Sequence, residues 1–219
     1  GIDSVVDIVA GDNHVVAIDK VGNVYTWGLN ASGQLGNGQT KTETMPQKIN
    51  AIENQIISIA AGGNMTAFVS ADGKVYAFGQ GKSAYYTEPQ LISEINDAVK
   101  VSCMQNDIIV LKKDGSVEKV SGFGDNITLE NIATSGIVDI SSKYLSTMAL
   151  DVNGDLYTYG NNRSGQAGLG TATVYEDLQK VTITEDKKYL SLGAGYESNY
   201  CIDTEGFVYA AGDNEYGQL

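Results

Sequence analysis

A segment that recurs five times limits what this chain can fold into. Residues 19–36 read Asp-Lys-Val-Gly-Asn-Val-Tyr-Thr-Trp-Gly-Leu-Asn-Ala-Ser-Gly-Gln-Leu-Gly. The pattern returns over 151–168 and 203–219, where Gly154, Leu156, Tyr157, Gly160, Asn162, Gly165 and Gln166 match Gly206, Val208, Tyr209, Gly212, Asn214, Gly217 and Gln218. A weaker copy runs through Gly73, Val75, Tyr76 and Gly79, and a worn one through Gly115 and Val117. The leading glycines, Gly22, Gly73, Gly115, Gly154 and Gly206, lie 51, 42, 39 and 52 residues apart, the period of a solenoid, a propeller or an array.

Two short apolar runs precede each copy, such as Val5 to Ala10 and Val15 to Ile18, and no helical period appears anywhere. The unit is therefore all-β. Aligned on the leading glycine, each copy predicts four strands, A to D; in the first these are 5–10, 15–19, 23–27 and 47–50. The D strands of copies two to four are expected at 90–92, 127–130 and 178–183. The units run approximately 1–50, 51–92, 93–131, 132–183 and 184–219, the last without its fourth strand, which gives nineteen strands in a single domain. The leading glycine closes the B–C hairpin, as the dipeptides Asp72-Gly73, Asp114-Gly115 and Asn153-Gly154 show, because such turns demand positive φ. Gly28, Gly79, Gly160 and Gly212, ending strand C, are expected to permit a bulge or a close approach of backbones.

The order of strand, Gly-Asp-Asn-His turn at 11–14, strand, hairpin, Val-Tyr-x-Trp-Gly and Asn-x-x-Gly-Gln-Leu-Gly resembles the repeat of the regulator of chromosome condensation (RCC1) family. The resemblance implies a β-propeller of four-stranded antiparallel blades whose family ring has seven. About five units are present here, so the chain reads as a fragment or an incomplete ring, with self-pairing through open blade edges as one way to complete it. It also implies two specific activities, guanine nucleotide exchange or regulation of a small GTPase, and inhibition of a β-lactamase by a secreted binder. A photoreceptor role in the same family depends on clustered tryptophans, which the single Trp27 excludes. The Asn-, Tyr- and Ile-rich repeats resemble those of bacterial surface proteins, pointing to the cell surface or to secretion.

Charge and composition exclude other classes. A formal net charge of −13 repels nucleic acid and anionic lipid, both of which are bound first through Lys and Arg. No run approaches the ~20 apolar residues that span a bilayer. One histidine and two cysteines cannot build a zinc site, and no column of titratable groups converges as catalysis requires. No catalytic residue, metal or cofactor is therefore expected. His14 reads as a turn histidine bonding its own backbone, Cys103 and Cys201 as small buried residues in separate blades, and Asp151 to Asp155 as a hairpin despite its likeness to the opening of a calcium loop.

Strand parity assigns the A–B turns and C–D loops to one rim, which carries the long, unequal loops. Tyr85, Tyr86, Tyr144, Tyr175, Tyr196 and Tyr216 fall there, interleaved with acids that include Asp12, Asp107, Asp125 and Glu197. Aromatic area at low entropy cost beside steering charge is what a protein-binding face needs. The sequence thus predicts a noncatalytic interaction module holding a protein partner on this rim.

Overall fold

The computed structural model describes residues 1–219 apart from 51, 53, 125, 134 and 184. Nineteen strands are described, in five antiparallel sheets, each ordered as an up-and-down meander. Blade one holds β1 (Val5–Ala10), β2 (His14–Asp19), β3 (Val24–Gly28) and β4 (Glu43–Lys48). Blade two is β5 (Ile56–Gly62), β6 (Met65–Ser70), β7 (Val75–Gln80) and β8 (Tyr85–Ile92), and blade three β9 (Ala98–Cys103), β10 (Asp107–Lys112), β11 (Val117–Ser121) and β12 (Thr128–Ala133). Blade four is β13 (Ile137–Lys143), β14 (Ser146–Asp151), β15 (Leu156–Asn161) and β16 (Val174–Val181); blade five has β17 (Tyr189–Ala194), β18 (Ser198–Asp203) and β19 (Val208–Gly212). The first strands of successive blades contact one another around a common axis, giving the propeller arrangement.

Strands A to C begin and end within a few residues of their expected places, as does the start of β12 at Thr128, but the D strands of blades two and four do not. β8 starts at Tyr85 and β16 at Val174, well before the expected 90 and 178. These outer strands are mostly exposed or half-buried, so they lack the apolar runs by which inner strands announce themselves. The correction moves Tyr85, Tyr86 and Tyr175 out of loops and onto the rim ends of outer strands.

The blade cores are made by alternation. In blades two to four one face of the sheet packs on the preceding blade and the other on the following one: Val16, Ile18 and Val24 of blade one join Ile56, Ile59 and Phe68 of blade two, while Met65, Ala67 and Val75 of blade two join Ala98, Val101 and Val110 of blade three.

The five hairpin glycines have φ of 85°, 82°, 80°, 75° and 88° in chain order, as the turn demands. In the three strongest copies an aspartate at the end of strand B holds this hairpin. Asp19 Oδ1 accepts from the Val21 and Asn23 amides at 3.0 and 2.9 Å, and Asp151 and Asp203 repeat the arrangement. The calcium-like segment is thus a hairpin whose carboxylate is already occupied by backbone donors.

The Asn-x-x-Gly-Gln loop is equally regular. Asn30 Oδ1 accepts the Leu35 amide at 2.9 Å, as Asn162 does that of Ala167 at 2.7 Å and Asn214 that of Leu219 at 2.9 Å. The loop then reaches the next blade, where Thr66 Oγ1 donates to the Gln34 carbonyl at 2.8 Å and Asn199 Nδ2 to that of Gln166 at 3.0 Å. Blades one and four thereby fasten the blades that follow them.

Candidate partner-binding site

The A–B turns of the blades meet at one rim. The Asp12 amide donates to the Gly63 carbonyl at 3.0 Å, joining turns one and two, and the Gln105 amide donates to the Tyr144 carbonyl at 2.6 Å, joining turns three and four. Turns four and five are joined by their aromatic rings. Tyr144 and Tyr196 stack with centroids 3.9 Å apart and planes 19° from parallel.

Tyr144 adopts φ of 52°, a left-handed conformation that few bulky side chains adopt. Its ring is half-buried and that of Tyr196 is 56% exposed, so the stack presents an aromatic surface to solvent. A hydrogen bond to Tyr144 raises the Tyr196 phenol to about 12, with burial and then the charges of Tyr144, Glu197 and Asp12 adding to it. At neutral pH the Tyr196 ring is therefore an uncharged platform beside carboxylates. Glu197 Oε2 accepts from Ser164 Oγ at 3.2 Å, which ties the fifth turn to the C–D loop of blade four.

The other tyrosines divide. Tyr85, at 64%, and Tyr216, at 89%, are exposed, but neither joins the stack. Tyr86 is half-buried with its ring 5.3 Å from that of Phe123, packed into the junction of blades two and three. Tyr175 is half-buried and bonds Thr171 through its hydroxyl. Asp12 is exposed and Asp107 half-buried at the start of β10; Asp125 lies outside the described residues. The structure thus brings together Tyr144, Tyr196, Glu197 and Asp12, and leaves the remaining positions dispersed around the rim.

His14 does not bond its own turn. Its Nε2 lies 2.9 Å from Thr66 Oγ1, and because that hydroxyl donates to the Gln34 carbonyl, the imidazole nitrogen must be the donor to it. Strand β2 starts one residue earlier than the sequence suggests, so His14 pairs with Gly28 of β3 and its side chain reaches the next blade. It is buried, and burial, aided by the nearby Lys143 ammonium and opposed by the Met65 backbone, lowers its pKa to about 4. Both cysteines are free and buried, which pushes Cys103 up to about 12 and Cys201 to about 11.

Sequence reasoning missed a basic element of the rim. Two open hollows flank it: one of about 390 Å³ beside Asp107, Lys82 and Gly122, and one of about 380 Å³ beside Tyr159, Tyr175 and Lys119. Lys119 Nζ lies 2.9 Å from the Tyr159 hydroxyl and 2.6 Å from Glu130 Oε2. Burial works against its charge, but those two partners raise its pKa above the usual lysine value. The visible signal is Lys119 itself, standing where other copies have Thr or Ala.

Among the described residues no cluster of three or more His, Cys, Asp or Glu could hold a metal ion. Among the same residues no helix is long and apolar enough to cross a membrane.

Comparison with known proteins identifies the repeat. The model of the regulator of chromosome condensation (RCC1) repeat matches residues 21–69, and a second model of the same description matches 5–34, 56–83 and 137–166. The chain carries RCC1 repeats and is an RCC1-like β-propeller.

Among RCC1 relatives, the ultraviolet-B receptor UVR8 of Arabidopsis thaliana is 30% identical over 97% of this chain and 54% of the receptor. The regulator of chromosome condensation of Xenopus laevis is 24% identical over 99% of this chain and 61% of that protein. The chain thus spans little more than half the length of these relatives. The solved structure of Prp20p from Saccharomyces cerevisiae, described with its binding to Gsp1p and histones, superposes with a TM-score of 0.82 at 20% identity, covering 96% of this chain and 57% of Prp20p. That likeness shows the fold.

Proposed function

We propose that this RCC1-repeat chain is a noncatalytic protein-binding module, and that its partner is held on the rim of A–B turns and C–D loops. The observation that carries the reading is the Tyr144–Tyr196 stack, an exposed aromatic surface fixed by backbone bonds on a rigid scaffold. Aromatic rings of this kind contribute contact area at small entropic cost and dominate interface energetics. Asp12 and Glu197 beside them, on a chain of net charge −13, favour a partner that is basic where it meets the stack. The relatives make protein binding by such a propeller concrete, since yeast Prp20p is described with Gsp1p and histones and in complex with Kap60.

The test is capture by the folded chain, by a Tyr144→Ser/Tyr196→Ser double variant, and by a Val21→Ser variant on the opposite, hairpin rim. The reading expects a protein retained by the wild type and Val21→Ser and lost at least tenfold by the double variant at unchanged thermal stability. Equal retention by all three would move the site off this rim.

A further inference from the structure

Two residues that leave the repeat pattern meet at one hollow. Lys119 stands where the other C strands carry Thr26, Ala77, Thr158 and Ala210, and Arg163 stands where the Asn-x-x-Gly-Gln loops of blades one and five carry Ala31 and Glu215. Neither change is needed to build a blade, since the other copies fold without it. Lys119 belongs to blade three and Arg163 follows β15 of blade four, yet both line the open hollow of about 380 Å³ on the tyrosine rim, together with Met104, Leu145, Tyr159 and Tyr175. Blades two and five pack on the far sides of these two blades, so the hollow lies within the series.

The chain has a net charge of −13 and a single arginine, Arg163. Among the described residues its guanidinium has no ion pair and no hydrogen bond; only the Arg163 backbone amide is used, donating to Asn161 Oδ1 at 2.9 Å. Lys119 is partly spent. Its ammonium bonds Glu130 Oε2 and the Tyr159 hydroxyl, which leaves one of its three protons unused. Glu130 balances that charge, and Glu176, the one acid among the lining residues, is exposed and bonded to neither cation. A guanidinium presents a planar fork of donors that matches a carboxylate. Met104, Leu145 and the two tyrosine rings offer apolar surface to the methylene stem behind it.

We propose that this hollow receives an acidic side chain of the protein partner, its carboxylate paired by Arg163 and by the unused proton of Lys119. The inference rests on the rim reading above and adds the partner's chemistry: basic over the Tyr144–Tyr196 stack, acidic at the junction of blades three and four.

Panning a random linear peptide display library against the folded chain tests this. The field of so acidic a molecule repels acidic peptides, so an excess of Glu and Asp among those retained has to come from a local site. The expected result is that excess with the wild type, its replacement by Lys and Arg with Arg163→Glu, and tighter binding of the acid-bearing peptides by Glu176→Gln; both positions are exposed, so neither change threatens the fold. A retained peptide should bind about tenfold more weakly once its acid is changed to the amide, and should move the single arginine Nε–H signal in the NMR spectrum. Retained peptides without an acidic excess, or the same set retained by Arg163→Glu, overturn the proposal. If those peptides are nonetheless lost by Tyr144→Ser/Tyr196→Ser, the rim reading stands while the hollow falls; peptides retained equally by both variants remove the two together.

Discussion

Lys112 Nζ stands 3.3 Å from Glu118 Oε1 at the two positions which in blade one hold Asp19 and Tyr25. There, and in blades four and five, the strand-C tyrosine hydroxyl approaches the strand-B carboxylate at 3.4, 3.4 and 3.1 Å. Blade three has replaced both partners with an ion pair that keeps the same cross-strand link. The pair is only about one-fifth exposed, so it is screened less than a surface bridge.

A double-mutant cycle follows from this. Lys112→Asp alone places two carboxylates together and should cost about 1–3 kcal/mol in urea unfolding, in the range of coupling between contacting residues. Adding Glu118→Tyr restores the pattern of the other blades and should recover most of that loss. Additive costs would mean that the two positions are not coupled.

His14 predicts a pH dependence. Its pKa falls from the ordinary 6.5 to about 4 on folding, so the unfolded chain binds its proton first as pH drops. The contribution is whole above pH 6.5 and is lost as pH falls towards 4, by about 3 kcal/mol at most. His14→Gln should flatten the stability profile over that window. An unchanged profile would show that His14 binds its proton equally well in the folded and unfolded chains.

The stack predicts a titration. Tyr144→Phe removes the hydroxyl that raises Tyr196, so ultraviolet difference titration should show the Tyr196 phenol ionising closer to the ordinary 10.0 than to about 12. No change would mean that the two hydroxyls are not bonded in solution.

The repeat, the blade order and the hairpin glycines were legible because each is local: a turn that needs positive φ fixes its residue wherever it recurs. The rim was legible from strand parity, yet the stack was not, since Tyr144 and Tyr196 come from different blades and nothing in either turn announces the other. The outer strands of blades two and four were misplaced because exposed edges carry no apolar run, which is why Tyr85 and Tyr175 read as loop residues. Blade three looked worn for a related reason. Judged one residue at a time, Lys112 and Glu118 each break the pattern, and only their contact shows that the change is compensated.

The most direct test of the rim as the binding face is hydrogen exchange of the chain alone and in complex with the protein it captures. The account predicts slowed exchange at 142–146 and 194–198, with the hairpin turns at 20–23 and 71–74 unchanged. Slowing at the hairpins, with the two tyrosine turns exchanging as in the free chain, would contradict it.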